Sequence, residues 1–90
     1  MYKLLMSNKY IKKEKTFVKK HPILKEKYKR VLTLLKANPY HPSLRLHKLQ
    51  GNLKEYYSVS INLQYRIVLD FIITENEIIL VDIGSHGEVY

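Results

Sequence analysis

A histidine stands between two glycines near the end of the sequence, in the stretch Gly84-Ser85-His86-Gly87 that follows a strongly apolar run. An imidazole exchanges protons near neutral pH, and a side chain on a turn held by a rigid strand is accessible to a ligand. This placement predicts a proton-transfer role for His86. The alternative is a polar tail that only closes the last strand.

Arg66 is the second candidate, because it is the only basic residue between positions 55 and 90. Strand alternation places Arg66 and Asp70 on one face of a predicted strand, opposite the more apolar face that would cover a core. A planar guanidinium is well suited to phosphate binding. An ion pair with Asp70 or Asp82 explains an arginine at this position equally well.

The other three histidines differ in their surroundings. His21 and His41 each precede a proline and are predicted to mark the ends of elements, whereas His47 lies among basic residues before Gly51. His47 is therefore the candidate to share a groove with His86. The sequence contains no cysteine and no pair of histidines two or four positions apart, so proton transfer is a better interpretation than a metal site.

The charges are distributed unevenly along the chain. Residues 1–54 contain 15 basic and two acidic residues, a net charge of +13, and residues 55–90 contain one basic and six acidic residues, a net charge of −5. A half this basic attracts polyanions, so nucleic acid or an acidic protein is the expected partner. The alternative is that the lysines only keep the protein in solution.

The hydrophobic pattern predicts one α+β domain over residues 1–90, with the order β-α-α-β-β-β. Three C-terminal strands joined by tight turns would form an antiparallel meander, and the antiparallel sheet would be packed against a helical hairpin. No apolar run approaches the ~20 residues of a membrane span, and the absence of a signal peptide and of cysteine predicts a cytoplasmic protein. The predicted elements are a strand over Tyr2–Ser7, helices over residues 8–20 and 22–37, an extended connection over residues 39–43, a short strand or irregular segment around Leu44–Leu49, and strands over residues 56–61, 65–73 and 77–83.

Five segments, in order, cover nearly all of residues 38–90. They are Asn38-Pro39, His47-Lys48-Leu49-Gln50-Gly51, Tyr56-Tyr57-Ser58-Val59, Tyr65-Arg66-Ile67-Val68 and Ile83-Gly84-Ser85-His86-Gly87-Glu88-Val89-Tyr90. This ordered set resembles the RelE/ParE superfamily of bacterial toxin–antitoxin toxins. The closing Gly-Ser-His-x-Glu-aromatic pattern is similar to its YafQ branch, and the Tyr-Arg-Ile-Val strand is more similar to its RelE and YoeB branches.

The resemblance implies a RelE-like, microbial-RNase-like fold and a type II toxin. It also implies a ribosome-dependent, metal-independent endoribonuclease without a cofactor, which cleaves mRNA in the ribosomal A site by attack of the 2′-OH on the adjacent phosphate. The expected partners are a cognate antitoxin and mRNA on the ribosome, with contacts to 16S rRNA. The alternative is a non-catalytic toxin of the same fold, either gyrase-directed or decayed, that acts by binding protein.

The same resemblance implies catalytic roles for four residues. His86 matches the C-terminal histidine used in proton transfer, and Arg66 matches the arginine that stabilises the phosphorane-like transition state. His47 falls near the position of a base, and Tyr90 matches the terminal aromatic residue that stacks on or orients the substrate. RNA binding is expected of Lys48 and Lys54, which lie where RelE-like toxins carry basic residues, and of Arg45 nearby.

Three positions depart from the YafQ pattern. Ser60 stands where that branch has a second histidine, Gln64 stands near its aspartate, and Asp82 stands where it has an arginine. A carboxylate beside an RNA site repels phosphate. We therefore expect Asp82 either to orient His86 or to pair with Arg66.

Overall fold

The computed structural model describes residues 1–51, 55–72 and 75–89, which form a five-stranded sheet with a helical hairpin packed on one face. None of the helices in these ranges is long and apolar enough to cross a membrane. In chain order the elements are β1 (Lys3–Met6), α1 (Asn8–Lys20), a 3₁₀ turn (Pro22–Leu24), α2 (Lys25–Ala37), a second 3₁₀ turn (Pro42–Leu44), β2 (His47–Lys48), β3 (Tyr57–Ser60), β4 (Tyr65–Ile72), β5 (Glu77–Ser85) and α3 (His86–Val89).

The strands lie in the order β1-β5-β4-β3-β2. This confirms the predicted α+β order and the antiparallel meander of β3, β4 and β5. The sheet is mixed rather than wholly antiparallel, because β1 pairs in parallel with β5, placing Leu4 opposite Ile78. Apolar composition predicted that β1 joins the sheet but carried no information on its direction. The predicted extended connection over residues 39–43 contains part of the second 3₁₀ turn, and β2 is only two residues long.

The helical hairpin forms where the apolar stripes and the His-Pro break predict it, and its capping interactions are seen in the structure. Ser7 caps α1, with its side-chain oxygen accepting the Tyr10 N–H at 3.1 Å. Pro22 starts a new turn after His21, where its missing N–H costs nothing. The buried residues of the two helices pack on the same face of the sheet as Ile67 and Leu69, the face that alternation along β4 predicts to be internal.

A chain of hydroxyl groups links the two helices inside this core. The Tyr10 and Tyr28 hydroxyl oxygens are 2.8 Å apart, and the Tyr28 hydroxyl donates to the Glu14 carboxylate at 2.5 Å. Burial raises the pKa of both phenols, and the carboxylate of Glu14 raises them further. Both tyrosines therefore stay neutral at neutral pH, and their hydroxyl groups can act as donors.

Tyr28→Phe removes the central hydroxyl of this chain. We expect it to lower the free energy of unfolding by roughly 1–3 kcal/mol, because the buried Tyr10 hydroxyl and the Glu14 carboxylate both lose their partner. Urea unfolding followed by circular dichroism measures the change. Tyr56→Phe is the matched control at a half-buried tyrosine outside the chain. Equal stability of the two variants would contradict this account.

A β-bulge divides β5. Val68 pairs with Asp82, but the next residue of β4, Leu69, pairs with Leu80, so Val81 is an extra residue. The bulge shifts the pleat by one position, which keeps Ile83 in the main core while Gly84 lies opposite Arg66. If the alternation set by Ile78 and Leu80 continued without the bulge, Ile83 would face away from the core.

Candidate active site

Three side chains meet on the sheet face opposite the helical hairpin. Arg66 Nε donates to the Ser58 hydroxyl at 3.1 Å, and Arg66 Nη2 lies 3.2 Å from His47 Nδ1. The Ser58 hydroxyl is also 3.4 Å from His47 Nε2. Strand pairing places these residues together, because His47 lies opposite Ser58 in the β2–β3 ladder and Arg66 lies on neighbouring β4.

The Nδ1 atom of His47 lies close to one donor, Arg66 Nη2, and to one acceptor, the Arg45 carbonyl, so its role depends on the tautomer of the ring. A guanidinium nitrogen only donates, so Nδ1 must be unprotonated to accept from Arg66, and the proton is then on Nε2, facing Ser58. A proton on Nδ1 would instead be donated to the backbone carbonyl of Arg45, which lies 3.3 Å away. In the first of these two tautomers, Arg66 occupies the nitrogen that would accept a substrate proton.

His86 borders the same region as His47. The two histidines line an open cavity of about 360 Å³, together with Lys48, Leu49 and Gln50. His86 is exposed and is the first residue of α3, rather than part of the predicted irregular turn. The structure thus brings together His47, Arg66 and His86, three residues that are far apart in sequence.

A capping interaction and a buried anchor position His86. Glu88 Oε1 accepts the Ser85 N–H at 2.9 Å, so Ser85-x-x-Glu88 has the spacing of a capping box at the start of α3. This backbone hydrogen bond lowers the pKa of the Glu88 carboxyl. Val89 packs against Leu49 and Val68 in a second apolar cluster. The single helical turn that begins at His86 is therefore fixed at both of its ends.

Gly84 makes room for this turn. A Cβ at Gly84 would lie 3.2 Å from the Glu88 Cβ and 3.3 Å from the Val89 Cγ1, whereas a Cβ at Gly87 would meet nothing within 4 Å. The requirement at Gly84 is close approach rather than an unusual backbone angle, since Gly51 is the only glycine with a positive φ in the described chain.

Substitution by alanine should have opposite effects on stability at Gly84 and at Gly87. We expect Gly84→Ala to destabilise the protein by about 1 kcal/mol or more, because the Glu88 and Val89 side chains must shift by a few tenths of an ångström to admit the methyl group. Gly87→Ala should be neutral or stabilising by about 0.5–1 kcal/mol, since alanine favours a helix and has room. Thermal and urea unfolding measure both. A Gly84→Ala protein as stable as Gly87→Ala would refute the proposed close packing.

Asp82 takes neither of the two predicted roles. Its carboxylate accepts from Lys13 Nζ at 2.5 Å and from the Ile83 N–H at 2.8 Å. Lys13 belongs to α1, so this ion pair ties the C-terminal part of β5 to the helical hairpin. Among the described residues Arg66 also has no carboxylate partner, which removes the ion pairs with Asp70 or Asp82 as explanations for that arginine.

The remaining predicted residues are only partly grouped with the site. Lys48 lines the cavity, but the Arg45 side chain lines a different depression beside Arg30. Lys54 and Tyr90 lie outside the described residues. Within the described ranges, no group of three or more histidine, aspartate or glutamate side chains is placed to hold a metal ion.

Ser58 is the site residue that sequence reasoning missed. It is completely buried, and its hydroxyl lies between His47 and Arg66. In the sequence, Ser58 stood out only as part of the Tyr56-Tyr57-Ser58-Val59 segment that carries the family resemblance. The signal in the sequence was weak, since a serine on a strand is unremarkable until its face is known to be covered.

Comparison with known proteins identifies the family. A sequence model of the family described as "Bacterial toxin of type II toxin-antitoxin system, YafQ" matches residues 2–90. The chain belongs to the YafQ family of type II toxins. None of the curated proteins compared with it matches.

Solved structures show the same fold. A metal-bound toxin from Helicobacter pylori is 32% identical to this YafQ-family chain, with a TM-score of 0.77 and complete coverage of both chains. YafQ from E. coli strain BL21(DE3) is 20% identical, with a TM-score of 0.80, and YafQ in the E. coli DinJ–YafQ complex is 21% identical, with a TM-score of 0.79. Each of these two matches covers 100% of this chain and 99% of the other. They confirm the RelE/YafQ-type fold predicted from sequence.

Proposed function

We propose that this YafQ-family toxin is a ribosome-dependent, metal-independent endoribonuclease that cleaves mRNA through its own 2′-OH. The observation that carries the proposal is the open cavity where His86 and His47 meet, with Arg66 hydrogen-bonded to His47. Two imidazoles and a guanidinium are the groups that this reaction needs.

The reaction requires a base, an acid and a cation. The 2′-OH loses its proton as it attacks the adjacent phosphorus, negative charge builds up on the phosphoryl oxygens, and the departing 5′-oxygen gains a proton. We assign the base to His47, the acid to His86 and charge stabilisation to Arg66. Since side chains fill all three roles, the mechanism needs no metal ion.

The contact between Arg66 and His47 in the absence of substrate suggests how substrate binding would make the base available. While Arg66 donates to Nδ1, that nitrogen cannot accept the 2′-OH proton. A phosphate is a stronger acceptor for guanidinium than a neutral imidazole. Substrate binding would draw Arg66 to the phosphate and release Nδ1, so the base becomes available only when the phosphate is in place.

RNA binding and regulation follow from the charge distribution. Exposed Lys48 lies on the cavity, and we assign RNA contacts to it, to Arg45 and to Lys54, while Tyr90 would stack on or orient the substrate. YafQ forms a complex with DinJ in E. coli, and we infer that a cognate antitoxin binds this chain as well. The toxin would act in the cytoplasm, on translating ribosomes and in contact with 16S rRNA.

The test is cleavage of a defined mRNA on programmed ribosomes, mapped by primer extension, with free mRNA as the parallel sample. We expect cuts only on the ribosome, and no loss of cutting in EDTA once the ribosomes are kept intact with added polyamine. Cleavage that EDTA abolishes would contradict the metal-independent mechanism. No cleavage in either sample would instead indicate a toxin that acts by binding a protein target.

A further inference from the structure

A second cavity lies between α1 and the C-terminal segment that carries His86. Its volume is about 240 Å³, and α1 lines it with Lys12, Thr16 and Lys20. These positions follow the i, i+4, i+8 spacing of one helix face. Gly84 and Glu88 line the other side, so the residues around His86 contribute to this cavity as well as to the candidate active site.

The cavity is lined by three lysines and one carboxylate, so positive charge is in excess. Lys13 also lines it, but its ammonium group is paired with Asp82, and the Glu88 carboxylate accepts the Ser85 N–H. Lys12 and Lys20 are exposed, and neither has a carboxylate within ion-pair distance among the described residues. The charge of Glu88 acts on Lys20 and Lys13 and offsets part of this excess. Lys12 and Lys20 remain as the exposed ammonium groups that an anion can contact.

An aromatic ring lies beside these lysines. His21 lines the cavity, and its ring centroid is 4.8 Å from that of Phe17 and 4.5 Å from that of Tyr65. These contacts hold the imidazole in place at a partly exposed position. A fixed ring beside exposed ammonium groups is the combination by which proteins hold a single-stranded nucleotide, through base stacking and phosphate contacts.

We propose that this cavity binds a nucleotide of single-stranded substrate RNA, with its phosphate on Lys12 and Lys20 and its base against His21. The proposal rests on the proposed ribonuclease function, and it extends the RNA path from the His47–His86 cavity past α3 to α1. The acidic peptide that a basic surface also attracts is less favoured here, because it has no use for the aromatic ring.

Fluorescence anisotropy tests the proposal with the full-length protein and a fluorescein-labelled 2′-O-methyl RNA nonamer. The methylated probe has no free 2′-OH, so binding is measured apart from cleavage. We compare Lys12→Glu/Lys20→Glu with Lys15→Glu/Lys19→Glu, which makes the same charge change on the same helix at a different cavity. At 50 mM salt we expect about tenfold weaker binding for the first pair and less than about threefold for the second.

Salt dependence and NMR give two further readouts. Loss of two phosphate contacts should reduce the slope of log K against log salt by about 1.4, since each contact on a single strand contributes about 0.7. The ring protons of His21 should shift upfield when RNA binds, because a stacked base adds a ring current.

Three results would overturn the inference. They are equal weakening by the two double variants, binding of the probe that leaves His21 unshifted, and displacement of RNA from this cavity by poly-glutamate at equal charge. The first two, with cleavage on programmed ribosomes intact, would leave the proposed function standing. Absence of both probe binding and cleavage would remove the proposed function together with this site.

Discussion

His86→Ala is expected to reduce mRNA cleavage on programmed ribosomes by about 10²–10⁴-fold, the usual contribution of a positioned general acid. The side chain is exposed at the start of α3, whereas the anchor of that turn is Val89. Removal of the imidazole should therefore leave the fold and its stability nearly unchanged. Single-turnover primer extension gives the rate, and urea unfolding gives the stability.

Two companion variants make the result specific. His86→Gln keeps much of the side-chain volume and its hydrogen-bonding capacity but cannot transfer a proton, so it should be as inactive as His86→Ala. Thr33→Ala, exposed on α2, controls for handling and should retain full activity. If His86→Ala cleaved within threefold of the wild type, or were equally toxic when induced in cells, the acid would have to be another group.

Arg66→Ala is expected to lower cleavage by roughly 10²–10³-fold, the cost of losing one preorganised group that stabilises a developing anion. Arg66→Lys should recover only a small part of this loss. An ammonium keeps the charge but cannot contact Ser58 and His47 in the planar geometry of a guanidinium. The measurement is the same single-turnover assay, with binding of the methylated RNA probe measured separately.

The resting contact supplies a second readout for Arg66. In Arg66→Ala the Nδ1 atom of His47 loses its donor, so the ¹⁵N shifts of this imidazole should change in the absence of RNA. In the wild type, addition of the methylated RNA probe should move the same resonances in the same direction. If the ¹⁵N shifts of His47 changed neither in Arg66→Ala nor on addition of RNA, release of the base by the substrate phosphate would be contradicted.

The helices and the order of the elements along the chain were predictable because local signals determine them. The His-Pro break and the apolar stripes predict the bounds of α1 and place the start of α2 within three residues, because residues 22–24 form a 3₁₀ turn. Turn residues separate β3, β4 and β5. The direction of β1 was not predictable, since an apolar strand of four residues fits either orientation. Its parallel pairing with β5 is set by how the hairpin returns over the sheet.

The site was predictable by residue type but not by arrangement. Histidine and arginine attracted attention through their chemistry, and the family resemblance put His47, Arg66 and His86 in one reaction. The bridging hydroxyl of Ser58 depends on strand register, which composition does not specify. The sequence predicted repulsion between Asp82 and RNA phosphate because it did not reveal the ion pair of Asp82 with Lys13, which is 69 positions away.

The bulge at Val81 divides β5 into two parts in which opposite sets of alternate side chains face the core. Before the bulge the even-numbered residues face the core, and after it the odd-numbered residue Ile83 does. This shift of one residue places Gly84 opposite Arg66. Deletion or insertion of one residue here would exchange the faces of all that follows, and α3 would carry His86 to the wrong side of the sheet. Substitutions in β5 act on one contact each, but a change of length acts on the whole site. Relatives of this chain should therefore vary in the composition of this strand more readily than in its length.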